Sequence, residues 1–223
     1  MTLFKECYRI GYRFILFAIA LLVWFGWLHS MQYATALSIQ YGLGNYYLAL
    51  GHMAGLGFLL VVLAPYHRWV APLGVGRVMQ RSSAWPTVAV ILVYLAGFIY
   101  SKLLSEPPEQ WVLDLLNRPA KELSVVFITI FLLAPVGEEI LFRGMMLNAF
   151  KTSRSWTIWL GACLVAVLFS LIHKQYNNIS TFVEFVALSG VYTWARILSG
   201  GLLLPILLHS LSALTAVILI YFY

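Results

Sequence analysis

Three charged side chains interrupt an apolar run in the segment VGEEILFRGMM, residues 136–146. The surrounding residues, 122–147, are mostly apolar and numerous enough to predict a membrane-spanning helix. A charge at the bilayer centre costs about 2.5–3.5 kcal/mol on insertion scales, so Glu138, Glu139 and Arg143 need a structural or chemical reason to be there. The segment therefore predicts a polar site inside a membrane protein.

The spacing of these charges gives the two glutamates different tasks. Glu139 and Arg143 are four residues apart, so on a helix they share a face and are expected to form an ion pair. Glu138 points about 100° away from Glu139 and is left available as a general acid or base. Pro135 and Gly137 precede the pair and predict a kink that opens the helix to a small cavity. The alternative is that the charges only fix helix packing.

The composition predicts an all-α polytopic transmembrane helical bundle. Apolar residues make up 62% of the 223 residues and charged residues 10%, against about a quarter charged in soluble domains. The basic N-terminal run lacks the small-residue cleavage site of a signal peptide and is expected to begin an uncleaved first span. About seven spans are predicted, at 12–29, 44–65, 85–104, 122–147, 157–176, 180–197 and 200–222.

The net charge of +6 is interpreted as a topology signal, and no nucleic acid is expected as a partner. With the N-terminus inside, nine basic residues lie in the cytoplasm and four outside. The cytoplasmic set is Lys5, Arg9, Arg13, Arg68, Arg77, Arg81, Lys151, Arg154 and Arg196, and the outer set is Lys102, Arg118, Lys121 and Lys174. The expected location is a bacterial inner membrane with a cytoplasmic N-terminus. Cys7 and Cys163 are expected to be apolar fillers.

One polar, proline-containing stretch divides the chain. Residues 105–122, SEPPEQWVLDLLNRPAKE, predict an outer loop with a short interfacial helix around Trp111–Leu116. The domain division is therefore 1–104 for N-terminal spans, 105–121 for this loop and 122–223 for a catalytic transmembrane domain.

Two histidines are candidates to join the glutamates. His173 lies in LFSLIHKQYNN, four residues after Phe169 and on the same helical face, and His209 lies deep in the last span. At about 1.5 Å per residue, Glu139 and His209 are expected at matching depth, with His173 about 6–10 Å away from that level. The other histidines, His29, His52 and His67, are interpreted as structural.

These residues resemble the motifs of the CPBP family, the CAAX protease and bacteriocin-processing (Abi) proteins. EEILFR is similar to EExxxR, FSLIH to FxxxH, and the histidine of GGLLLPILLH to the third motif, over residues 120–215. The resemblance implies an intramembrane endopeptidase, a CAAX prenyl protease-like hydrolase with a four-helix catalytic core. Its partners would be membrane lipid and a peptide or membrane-protein substrate.

The resemblance also implies roles for individual residues. Glu138 and His173 would activate a water for attack on the scissile amide. Glu139 would support the site together with Arg143, and His209 would help to stabilise the oxyanion. Phe169 would be a supporting residue.

Two features leave the chemistry open. The family's third motif carries Asn or Asp four residues after its histidine, where this chain has Ala213; Ser212 is the nearby hydroxyl that would stand in. Glu138, His173 and His209 could also coordinate zinc, but without an HExxH helix the metal-independent mechanism is favoured.

Two other classes of function compete with the protease. The alternative is a catalytically inactive membrane scaffold or bacteriocin-immunity protein that uses the polar network for packing, and Ala213 favours it. A proton-coupled transporter using Glu138 and Glu184, with Glu184 near the outer surface, is disfavoured because no repeated halves are found.

Overall fold

The computed structural model describes residues 2–152 and 154–223, with side chains from residue 11 onward. Lys5, Arg9 and Cys7, which entered the expectations on orientation and cysteines, lie outside the described side chains. Within this part of the chain the fold is all-α and contains no β-strand, which confirms the predicted fold class.

Eight helices make up the described chain, connected by short loops. They are α1 (Thr2–Gln40), α2 (Tyr47–Pro65), α3 (Ala84–Leu103), α4 (Gln110–Leu116), α5 (Ala120–Phe150), α6 (Trp156–Ile172), α7 (Ile179–Ser199) and α8 (Leu203–Ile220). The short helix α4 lies where the interfacial helix was predicted.

Five of these helices, α1, α2, α3, α5 and α8, are long and apolar enough to cross a membrane. The chain is thus an integral membrane protein. The apolar helix α6 has 17 residues, and α7 has 21 residues with a more polar sequence. Seven helices occupy the seven predicted positions, and a count of seven full spans stays a prediction.

Two predicted boundaries are wrong. The first span was expected to end at residue 29, but α1 continues to Gln40. No glycine or proline interrupts residues 30–40, and the helix ends before Gly42, which has a φ of +73°. The fifth span was expected to reach residue 176, but α6 ends at Ile172 because His173 leaves the helical conformation, with φ −84° and ψ 50°.

Helix α5, which carries both glutamates, is irregular where the kink was predicted. Its α-helical segment Ala134–Glu139 lies between π-helical turns at Thr129–Leu133 and Ile140–Met146. Pro135 has no N–H to give to the carbonyl of Phe131 four residues earlier. Ser210 of α8 instead donates its hydroxyl hydrogen to that carbonyl at 2.7 Å. The proline thereby ties α5 to the helix that carries His209.

A second backbone contact fixes the start of α8. The N–H groups of Leu202 and Leu203 donate to the carbonyls of Gly74 and Val75, each at 3.0 Å. A side chain at Gly201 would collide with the Val75–Gly76 backbone, so glycine is required there for the close approach. The extended loop between α2 and α3 thus holds α8 at its first turn.

Candidate active site

The predicted ion pair is present and completely buried. Arg143 donates from Nη1 to Oε1 of Glu139 at 3.0 Å, and neither side chain is exposed. Arg143 also donates from Nη2 to the carbonyl and hydroxyl oxygens of Ser189, at 3.1 and 2.7 Å. The pair therefore joins α5 to α7 as well as linking two turns of α5.

Aromatic rings surround the guanidinium on two sides. The Cζ atom of Arg143 lies 4.8 Å from the ring centre of Phe169 and 5.1 Å from that of Tyr192. Both distances are within the range of cation–π attraction, which is stronger where water is excluded. The supporting role expected of Phe169 thus has a physical basis, since its ring covers the buried charge.

Glu139 also orients His209. Nδ1 of His209 lies 3.0 Å from Oε1 of Glu139, and since a carboxylate only accepts, Nδ1 carries the hydrogen and donates. Tyr192 stacks on the imidazole, with ring centres 5.0 Å apart and planes 15° apart. These contacts leave Nε2 of His209 facing Glu138, 4.0 Å from Oε2.

The ring of His173 is also held in place by a hydrogen bond and a stacked aromatic ring. Its Nδ1 donates to the carbonyl oxygen of Phe169 at 2.7 Å, and Phe185 stacks on its ring at 4.4 Å between centres. Its Nε2 then lies 3.8 Å from Oε2 of Glu138. The expected mismatch in depth is therefore wrong. Helix α6 ends at Ile172 and His173 itself leaves the helical conformation, so its ring reaches Glu138 from the end of the helix.

Three hydrogen-bond acceptors thus converge on one point. Oε2 of Glu138 has no hydrogen-bond partner among the described residues, and both facing Nε2 atoms carry lone pairs. Two acceptors bridged by one water lie about 4.4 Å apart if each bond is about 2.8 Å. The separations of 3.8 and 4.0 Å are somewhat shorter than this, so a water that donates to Glu138 and one histidine would have a narrower angle between its two acceptors, about 85–90°. The side chains of Glu138, His173 and His209 are 6%, 12% and 13% exposed, so such a water would be largely shielded.

The same three side chains are spaced more widely than a tetrahedral zinc ion requires. Tetrahedral zinc with bonds of 2.0–2.1 Å needs donors about 3.3 Å apart, and these are 3.8 and 4.0 Å apart. In the described chain no group of three or more His, Cys, Asp or Glu side chains is placed to hold a metal ion. No step of the chemistry proposed below involves one.

The converging residues open onto a cavity of about 230 Å³. It extends from Glu138 to the segment before α4, where Pro107 and Glu109 line it. His52 of α2 also lines this cavity, although its sequence position was interpreted as structural. A histidine within a predicted span is itself a signal of an internal polar site, and that signal could have identified it.

Ser212 and Ala213 both line the cavity below His209. The hydroxyl of Ser212 donates to the carbonyl of Leu208 at 2.9 Å and accepts from the hydroxyl of Tyr192. Its one hydrogen is therefore engaged inside the protein in this arrangement. The side chain expected to replace the missing amide has no hydrogen available for a substrate.

Comparisons with known proteins locate the similarity in the same region. Residues 120–215 match the model of a family described as type II CAAX prenyl endopeptidase Rce1-like. An Escherichia coli protein named "uncharacterized 24.3 kDa protein" is 41% identical over 173 residues, which are 77% of this chain and 80% of that protein. No solved structure matches. The matched range contains both glutamates, Arg143, His173 and His209.

Proposed function

Because this chain belongs to the Rce1-like family of type II CAAX prenyl endopeptidases, part of the CPBP family, we propose that it is an intramembrane endopeptidase. It hydrolyses a peptide bond of a membrane-associated protein or peptide. The observation that carries this proposal is the unpartnered Oε2 of Glu138 facing the Nε2 atoms of His173 and His209 inside a cavity.

In the first chemical step, Glu138 acts as the general base. A water between Glu138 and His173 donates one hydrogen to Oε2 of the carboxylate and the other to Nε2 of the imidazole. As the water oxygen forms a bond to the scissile carbonyl carbon, its proton passes to Glu138 and the carbonyl π electrons move to the oxygen. Phe185 and the Phe169 carbonyl keep the His173 ring in place during this step.

The second step breaks the C–N bond. The oxyanion collapses back to a carbonyl, and Glu138, now a carboxylic acid, gives its proton to the leaving amine. His209 would stabilise the oxyanion by donating from Nε2 when it is protonated, with its ring held in place by the hydrogen bond from Nδ1 to Glu139. Arg143 holds Glu139 for this purpose and touches neither water nor substrate.

The proposal also covers the organisation of the chain in the membrane. Residues 122–223 form the catalytic unit, residues 1–104 supply further spans, and 105–121 cover the cavity mouth. With the N-terminus in the cytoplasm of a bacterial inner membrane, that mouth opens toward the outer face. Substrates would then reach the site from the outer leaflet or the periplasmic side.

The test is cleavage by purified protein reconstituted in lipid vesicles, with membrane proteins of the host as substrates. New chain termini are identified by mass spectrometry for the wild-type protein, His173→Ala and a matched control, His29→Ala. His29 is exposed on α1 and lies outside the cavity. We expect wild type and His29→Ala to produce the same new termini and His173→Ala to lose them. Retained cleavage in His173→Ala would refute the assigned mechanism.

A second candidate function is a non-catalytic scaffold or immunity protein. It is favoured by Ala213, which lacks the amide of the family motif, and by Ser212, whose hydrogen is engaged by Leu208. In that case the buried pair of Glu139 and Arg143 would serve packing alone. A scaffold or immunity protein would keep its cellular phenotype when the charge of Glu138 is removed.

A further inference from the structure

A second carboxylate lines the cavity at some distance from the reacting centre. Glu184 lies in the second turn of α7, is half-buried, and contributes to the cavity wall. It was expected near the outer surface; the cavity brings it into the same space as Glu138. Phe185, the next residue, is the ring stacked on His173.

Apart from Glu138 at the reacting centre, Glu184 is the only glutamate lining this cavity that the described protein leaves without a hydrogen bond. Glu109 accepts from the backbone N–H groups of Asn177 and Asn178 and from the hydroxyl of Thr181. Glu106, close by, accepts from the hydroxyls of two serines, Ser101 and Ser180. Both of these glutamates are thus engaged in closing the loop over α7, and Glu184 has no such task.

Helix α3 faces Glu184 and leaves space for its side chain at a glycine. A Cβ atom built on Gly97 of α3 would coincide with the carboxylate of Glu184. The carboxylate therefore occupies space that any other residue at position 97 would fill. A half-buried, unpaired carboxylate is unfavourable unless a cation or a proton neutralises it, so a cation bound beside Glu184 would relieve this cost.

The rest of the cavity suits a cation joined to an apolar body. Among the described side chains no lysine or arginine lines the cavity, whereas several aromatic rings do. Aromatic faces attract cations and also pack against aliphatic stems. The aromatic lining residues are Tyr94, Phe98, Trp111, Tyr176, Phe185, Tyr192 and Tyr223, of which Phe98 and Tyr223 already face the ammonium group of Lys102.

We propose that Glu184 binds the lysine or arginine side chain of a substrate peptide and thereby selects substrates with a basic residue near the scissile bond. This inference rests on the proposed function, because it takes the molecule bound in the cavity to be a peptide substrate. On α7, Glu184 is eight residues, or about 12 Å, from Tyr192, which stacks on His209. An extended peptide advances about 3.3 Å per residue, so the basic residue lies within about four residues of the cleaved bond.

Peptide binding tests the role of Glu184 independently of catalysis. The probes are acetylated and amidated leucine–alanine peptides with one lysine moved through the central positions, and a matched series with norleucine. Affinity is measured by fluorescence for Glu138→Gln protein in lipid nanodiscs. We expect the best lysine peptide to bind about tenfold more tightly than its norleucine counterpart.

Further variants identify the residue responsible for this ratio. We expect it to fall to about one in Glu138→Gln/Glu184→Gln, and to fall also in Glu138→Gln/Gly97→Ala, which displaces the carboxylate without removing it. Asp114→Asn, an exposed carboxylate on α4 outside the cavity, is the control, and adding it to Glu138→Gln should leave the ratio at about ten.

The outcomes separate this inference from the proposed function. Equal binding of the two peptide series, or a preference that survives Glu184→Gln, would overturn the role of Glu184. The peptide comparison itself needs no change at position 184, so it decides the question even if that variant fails to fold. A lysine preference without cleavage by wild type would refute the protease but support the subsite. Cleavage by wild type without a lysine preference would support the protease and refute the role of Glu184.

Discussion

Glu138→Gln is expected to lower the rate of peptide-bond cleavage by about 10²–10⁴-fold, the contribution typical of a positioned general base. Glutamine has nearly the same size and shape as glutamate, but its amide cannot take a proton from water at neutral pH. Because the cavity and the histidine contacts would be preserved, the loss should appear in kcat with little change in KM. The measurement is steady-state cleavage of a substrate identified with the wild-type protein in vesicles.

The control for this change is Glu122→Gln, which removes an equal charge outside the cavity, where Glu122 accepts a hydrogen bond from Asn45. It should retain wild-type kcat. A Glu138→Gln protein with full cleavage activity would eliminate Glu138 as the base. A cellular phenotype that survives Glu138→Gln, with no cleavage by wild type, would favour the scaffold.

Arg143→Met is expected to destabilise the protein by about 3–5 kcal/mol, because it leaves the Glu139 carboxylate buried without its cation. The guanidinium also makes two hydrogen bonds to Ser189 and lies against the rings of Phe169 and Tyr192, and methionine loses these contacts. Thermal unfolding in detergent, followed by circular dichroism, should show a clear drop in midpoint temperature. Cleavage should fall as well, since Glu139 would no longer hold His209 firmly.

Two further variants show whether the unpaired charge is the cause. Arg143→Met/Glu139→Gln removes both charges and should recover part of the lost stability, because no carboxylate is then left unpaired. Arg81→Met removes an arginine that is exposed before α3 and should change the midpoint little. If the double variant were less stable than Arg143→Met by the full cost of a second substitution, the charges would not be coupled.

The sequence predicted the features that depend on local spacing. The contact between Glu139 and Arg143 needs only a helix, and the irregularity around Pro135 follows from a missing N–H. The all-α class followed from apolar runs of membrane-spanning length. Each of these depends on residues close together in the chain, so helix geometry was enough to infer it.

The features that were missed depend on how separate helices meet. The depth estimate placed His173 away from the glutamates because it counted residues from the cytoplasmic end of each helix and took the helices to be parallel and level. His52 and Glu184 enter the cavity only through the packing of α2 and α7, and nothing within their own segments specifies that. The hydrogen bonds that Arg143 donates to Ser189 and the stacking of Phe185 on His173 likewise join elements distant in sequence. Polar residues within predicted spans were the signal that the sequence offered. They identify candidate site residues, but they do not show which of these residues contact one another.

The most direct measurement of the central claim, that Glu138 activates a water, is a single turnover in ¹⁸O-labelled water. Reconstituted wild-type protein in excess over its substrate is analysed by mass spectrometry, both for the new carboxyl terminus of the product and for the peptide that contains Glu138. Direct attack by water should place one ¹⁸O in the product carboxylate and none in Glu138. Label in the Glu138 side chain, or a product without label, would contradict the account, because the carboxylate would then be the nucleophile.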